Sequence, residues 1–244
     1  AASAEFRPYF ATTYATLRPL LGRAREEDLV LRARAVECIG IVVVAVGREM
    51  AGPVLEEASA SVLGGMTIDH AHLRECSYGY FAQLAELLGA DAQPLLPTLL
   101  PLLLKAAESD DALEFDESKE GGVESLLADD DASEDGDFPT LSVRTGLIDE
   151  KTSAIHCIGQ CARHMGAAFA PHIERCLDAI LGAHDHFHEE VRGASCRALA
   201  HLARACAAAQ PPQAQWHKGG SADATTLPQS SRALLDRIWP LLLN

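Results

Sequence analysis

The chain has 244 residues, 48% of them hydrophobic but only 5% aromatic, and its 35 acidic against 20 basic side chains give a formal net charge of −15. An Ala- and Leu-rich composition with so few aromatics favours helices, and the negative balance argues against direct binding of nucleic acid. The longest strongly apolar run, Cys38–Val46, is less than half of the roughly 20 residues that a membrane-spanning helix needs, so no membrane insertion is expected.

Phe6-Arg7-Pro8-Tyr9-Phe10 opens a first helix, with Pro8 supplying the φ of a first turn and Tyr14, Leu17, Leu20 and Leu21 keeping helical spacing. A second helix is expected from about Glu26 to Val46, with Gly47 as its left-handed stop. Pro53 is expected to start the next, which ends at Gly64-Gly65. The pattern then repeats. A helix from about His70 stops at Gly89, and another begins near Pro94, bent or delayed by Pro97 and Pro101.

The run Glu108–Asp137 interrupts this series. It holds fourteen Asp or Glu against the single base Lys119, and so thirteen of the fifteen net negative charges. Its apolar residues are too few to offset the entropy of ordering it, which predicts a solvated, disordered loop over 108–140. Helices are then expected from about Leu147 to Met165, from Phe169-Ala170-Pro171 to Leu181, from Glu189 to Cys206, and from Ser231 to Leu243, with a polar loop over 209–228. The chain begins without Met and ends in Trp239-Pro240-Leu241-Leu242-Leu243-Asn244, which reads as a segment of a longer protein.

A register emerges when the base near the start of each first helix is set to zero: Arg32, Arg74, Lys151 and Arg192. Fifteen residues on lie Gly47, Gly89, Gly166 and Ala207, and twenty residues on lie Pro94, Pro171 and Pro212, with Pro53 at twenty-one. Cys38-Ile39-Gly40 recurs at the same offset as Cys157-Ile158-Gly159. The bases are 42 and 41 residues apart on either side of a gap of 77, so the acidic run is an insertion between consecutive hairpins. A period near 41 with two helices per unit is that of HEAT repeats, whose hairpins stack into an all-α solenoid. The units are 26–66, 70–107, 141–183 and 187–243, preceded by a lone second helix over 6–22.

Leu31-Arg32-Ala33-Arg34-Ala35-Val36-Glu37-Cys38-Ile39-Gly40, followed by Ala45-Val46-Gly47-Arg48-Glu49, resembles a middle HEAT repeat of the importin-4 type of β-karyopherin, within the importin-β family of nuclear import receptors. Leu73-Arg74-Glu75-Cys76-Ser77-Tyr78 resembles the succeeding repeat. So does Val143-Arg144-Thr145-Gly146-Leu147-Ile148-Asp149-Glu150-Lys151 just after an acidic loop. The resemblance covers about Phe6 to Ala208, the central part of such receptors.

It implies Ran-dependent import of basic, Lys/Arg-rich cargo such as histones and ribosomal proteins. It also implies contacts with the Ran GTPase and the Phe-Gly repeats of the nuclear pore, and shuttling between cytoplasm and nucleus. In the resembled family the second helices line the concave, cargo-holding face, which singles out Glu56, Glu57, Glu174, Asp178 and Asp236. Glu174 and Asp178, at i and i+4, share a helix face. Within the loop, Asp110, Asp111, Asp116, Glu117, Asp129, Asp130, Asp131, Glu134, Asp135 and Asp137 form a flexible acidic lure. The alternative is a HEAT scaffold that organises a multiprotein complex without transport.

No GxSxG, phosphate loop or paired catalytic carboxylate is present, so no enzyme and no cofactor are expected. Cys157, Cys161, His156 and His164 lie within a turn or two of one another. The absence of CxxC or HExxH spacing makes the two cysteines buried thiols of an apolar stripe rather than metal ligands, and the seven cysteines fit a reducing compartment. His184, His186 and His188 read as an exposed turn. The four bases, with Asp28, Asp69, Asp149 and Glu189 nearby, read as the repeat-to-repeat charge pairing of a HEAT stack.

Overall fold

In the computed structural model of the chain, the described residues are 3–109, 113–114, 142–143, 145–211 and 227–242. They form an all-α solenoid. The first segment is a series of short pieces: α1 (Ser3–Phe6), a 3-10 turn at Arg7–Tyr9, α2 (Phe10–Leu17) and a second 3-10 turn at Arg18–Gly22. The single helix expected over 6–22 is thus broken twice, each time where Pro8 or Pro19 occupies the first positions of a 3-10 turn and withholds a backbone N–H.

Four helical hairpins follow among the described residues. After a 3-10 turn at Glu26–Asp28 come α3 (Leu29–Val46) and α4 (Arg48–Gly65), then α5 (Ala71–Leu88) and α6 (Leu96–Glu108). The third pair is α7 (Thr145–Met165) and α8 (Ile173–Ala183), and the fourth is α9 (Glu189–Ala209) with α10 (Gln229–Leu242). Pro53 does not start α4, which begins five residues earlier. Gly47, at φ 84° and ψ 165°, ends α3 by donating its N–H to Val43 and opens α4 by accepting from Ala51, so one residue serves both helices. Gly89 and Gly166 also have positive φ, at 56° and 55°, and each leads into a 3-10 turn, Gly89–Leu95 and Gly166–His172, before its second helix. Arriving at the expected positions, the glycines supply backbone geometry that a Cβ would oppose.

The first helices α3, α5, α7 and α9 pack side by side as one continuous layer. Ile39, Leu73, Tyr80, Phe81, Ile155, Ile158, Leu199 and Leu202 are all buried in it. The recurring Cys-Ile-Gly is explained here: its Ile is core, and its Gly lies where the next first helix crosses. A Cβ on Gly159 would come within 3.1 Å of the Ala198 Cα, and one on Gly40 within 2.0 Å of the Gln83 side chain. Ala71–Glu108 is apolar enough on average to span a membrane, but it folds back on itself at Gly89 and lodges Leu73, Leu84, Leu96, Leu99 and Leu103 in this core.

Each repeat base ties its own helix to the connector in front of it. Arg32 donates to the Arg23 carbonyl (2.9 Å), Arg74 to that of Ile68 (3.0 Å), Lys151 to that of Ser109 (2.6 Å), and Arg192 to those of His186 and Phe187 (2.8 and 2.7 Å). The expected acid pairing is corrected at three of four positions. Asp69 does bind Arg74 (3.1 Å), but Asp28 pairs with Arg23, and among the described residues neither Asp149 nor Glu189 forms an ion pair with a repeat base. The strong partner is Glu150, one residue from the expected Asp149 and therefore turned about 100° around the helix toward α5. It receives both Nε and Nη2 of Arg74 at 2.7 and 2.9 Å and is only 7% exposed. Arg74 itself is half-buried, so removing it, which strands the buried Glu150 carboxylate, should cost toward the lower end of the roughly 3–5 kcal/mol of a fully buried pair.

The joint that carries the acidic insertion is therefore clamped at several points. Arg74–Glu150 and Lys151–Ser109 cross it, and a two-residue antiparallel ladder, β1 (Leu113–Glu114) with β2 (Ser142–Val143), pairs the strands entering and leaving it. This ladder is the one departure, among the described residues, from a fold expected to be free of sheet.

Candidate functional site

Glu56 and Glu57 lie on α4, Glu174 and Asp178 on α8, and Asp236 on α10, all exposed on the second-helix layer. The structure does not gather them into one cluster, because α6 stands between α4 and α8. It also shows that several already hold a base. Glu57 accepts from Arg18 at 2.6 Å. Arg237 of α10 reaches across to α8 and donates to both Glu174 (3.2 Å) and Asp178 (2.7 Å). Arg175 and Glu108 form a bidentate pair between α8 and α6. Glu56 and Asp236 have no charged partner among the described residues. Periodicity gave no sign of Arg18, Arg175 or Arg237, since each pairs across a junction between repeats and none recurs at the repeat interval.

Between α4 and the turn leading into α6 lies an apolar groove of roughly 350 Å³, lined by Leu55, Leu63, Leu84, Leu88 and Leu95, with Glu56 and Asp91 at its rim. The second-helix layer therefore offers two chemically different places. One is an acidic pair on α8 shaped to hold a guanidinium, and the other is an apolar slot with an acidic edge. The acidic-loop residues Asp110, Asp111, Asp116, Glu117, Asp129, Asp130, Asp131, Glu134, Asp135 and Asp137 lie outside the described residues.

The cysteine and histidine candidates resolve locally. Cys157, Cys161 and Cys176 are buried in the core; the Cys157 thiol is raised well above its ordinary pKa by its hydrogen bond with Cys161 and by burial, and burial pushes Cys176 to about 12. Cys157 and Cys176 are therefore neutral thiols at pH 7. Not all the thiols are buried: Cys38 is half-buried and Cys196 is exposed on α9. In the turn before α9, the His184 ring bonds the Leu181 carbonyl (2.6 Å), His186 accepts from the His188 N–H (3.1 Å), and His188 caps α9 by accepting from Glu190 (3.4 Å).

No family model matches the sequence. Among curated proteins the chain is 26% identical over 208 residues to the probable importin subunit beta-4 of Schizosaccharomyces pombe, and 31% identical over 217 residues to human importin-4. In both cases the match covers 82% of this chain and 20% of the relative, so the chain spans about a fifth of the length of the proteins it matches. Among solved structures, Kap121p bound to the SUMO protease Ulp1p superposes with a TM-score of 0.69 at 22% identity over 100% of this chain and 21% of that one. Kap121p bound to Pho4p gives 0.62 at 25% identity over 86% of this chain and 20% of that one.

The stacked hairpins and these similarities support an importin-β karyopherin fragment. Within that family, its sequence matches carry the names importin-4 and importin beta-4.

Proposed function

We propose that this chain is a cargo-holding portion of a nuclear import receptor, that it binds Lys/Arg-rich segments on its second-helix face, and that it acts without catalysis. The observation that carries the reading is Arg237. Glu174 and Asp178 hold its guanidinium between them on an exposed surface, 59 to 63 residues from it in sequence, which is the contact a basic cargo side chain would make. Histones and ribosomal proteins are cargoes with the matching charge. The relatives' names support import, and the solved Kap121p complexes with Ulp1p, Pho4p and Nup53p support partner binding by this kind of solenoid. Release by Ran, contact with Phe-Gly repeats and shuttling between cytoplasm and nucleus belong to the same proposal.

Arg237 then competes with cargo. Arg237→Ala should free both carboxylates and tighten binding of a histone-tail peptide, whereas Glu174→Gln with Asp178→Asn should weaken it through faster dissociation. Surface-based kinetics on the three proteins decide the matter. Equal dissociation rates throughout would leave this acidic pair as an internal strut and remove it from the cargo surface.

A further inference from the structure

On the opposite layer, the first helices carry a row of side chains that cargo binding leaves unused. One repeat apart, His156, Gln160 and Arg163 of α7 correspond to Arg197, His201 and Arg204 of α9. Each trio is spaced i, i+4, i+7 and so forms a single stripe, and the packing of α7 on α9 sets the stripes side by side. They meet closely, since the His201 ring would lie 3.5 Å from a Cβ at Gly159. The His201 Nδ1 is buried without a hydrogen-bond partner.

Arg163, Arg197 and Arg204 are exposed and have no acidic partner among the described residues, although Arg18, Arg48, Arg74, Arg175 and Arg237 all do. Neither bland account suffices. Bases near a helix C-terminus complement its dipole by about 0.3–1 kcal/mol, yet α3 and α5 end without any base in the last turn. An ordinary solvated face would mix both signs, but α7 has no acid after Glu150 and α9 none after Glu190. In α5 the position equivalent to Arg163 is Glu86, so the positive row is confined to two repeats.

We infer that this row is a docking surface for a short acidic protein segment, whose Asp and Glu carboxylates lie across α7 and α9 and are anchored by Arg163, Arg197 and Arg204. Guanidinium forks match carboxylates two oxygens at a time. Seven residues of helix measure about 10 Å and adjacent helix axes stand about 8–10 Å apart, which leaves room for a few carboxylates. A nucleic acid would extend its phosphates beyond the patch, over a chain whose net charge is −15. The surface lies on the layer away from Glu174 and Asp178, so the inference stands whether or not those residues hold cargo.

The test is fluorescence anisotropy of a labelled octaglutamate peptide with the whole chain, with a chain lacking 116–140, and with Arg163→Gln/Arg197→Gln/Arg204→Gln in both backgrounds. Binding should appear in at least one of the two parents and weaken about tenfold or more in the matching triple variant, as expected for loss of several charge-assisted contacts. The circular dichroism spectrum and the affinity for a Lys/Arg-rich peptide should not change. Failure of octaglutamate to bind either parent, or equal binding to parent and triple variant, would overturn the inference. So would tighter, arginine-dependent binding of a single-stranded oligonucleotide of equal charge, which would assign the row to nucleic acid.

Discussion

Gly40 and Gly159 occupy the same register position in two repeats, yet they should respond oppositely to alanine. At Gly40 the obstruction is the far end of the Gln83 side chain, whose Oε1 is buried and unpaired there. Swinging that amide away removes the clash, and the helix gains up to about 1 kcal/mol from the better helix former. At Gly159 the obstruction is the Cα and Cβ of Ala198, at 3.1 and 3.2 Å. Forcing α7 from α9 costs about 1–3 kcal/mol, as overpacking does, and outweighs the propensity gain. Thermal melts should therefore show Gly40→Ala neutral or stabilising and Gly159→Ala destabilising; a shared sign would mean that both crossings yield, or neither does. The motif was legible in the sequence. The difference between its two copies was not, because it depends on what the neighbouring helix places opposite.

The histidines give a second residue-scale prediction. His164 and His201 have lowered pKa values, first through partial burial and then through Arg163, reinforced at His201 by Arg204 and by the rings of His156 and His164; Glu86 of α5 opposes the shift at His164. His156 is lowered by burial and by Arg197. A group that resists protonation only when folded makes the unfolded state bind more protons, so stability is full above the unfolded value near 6.5 and falls as pH drops below it. The melting temperature should decline below pH 6.5, and His201→Gln should blunt the decline. An unchanged slope in that variant would remove His201 from the cause.

At the scale of elements, the hairpins were readable because their signals are local: a base, a glycine fifteen residues later and an apolar stripe between them. Ties between elements were not. Glu150 rather than Asp149 meets Arg74, and the choice rests on one residue's rotation about α7. Arg237 meets Glu174 and Asp178 across a connector that follows no repeat interval. Pro53 misled for a related reason, since a single-residue turn at Gly47 lets α4 begin before the proline. The joint bearing the insertion leads to a clear expectation. Arg74–Glu150, Lys151–Ser109 and the β1–β2 ladder all lie at or below its base. Deleting 116–140 should therefore leave the melting temperature nearly unchanged, because shortening a closed loop changes its entropy by only about 0.6 kcal/mol per halving. A fall of many degrees would mean that the removed residues pack on the solenoid.

For the whole molecule, the two layers differ in what joins them. The first helices meet through buried apolar side chains and close glycine crossings. The second helices are linked from repeat to repeat by Arg18–Glu57, Glu108–Arg175 and Arg237 with Glu174 and Asp178, all exposed. Such pairs are worth about 0–1 kcal/mol each and act over a range that salt shortens to about 8 Å at 0.15 M. Both layers share the apolar core, but mechanically this is a laminated strip with one ply closely joined along its length and one whose outer surface is held by weak staples. Flexing should pivot on the stiff ply, and the stapled ply should open and close like a fan. Raising salt, or Arg175→Ala with Arg237→Ala, should then increase the radius of gyration in small-angle scattering while helix content stays constant, and a dimension indifferent to both would require a second ply as rigid as the first. A body that bends about one side in this way fits its grip to segments of different length by changing curvature rather than by repacking its core.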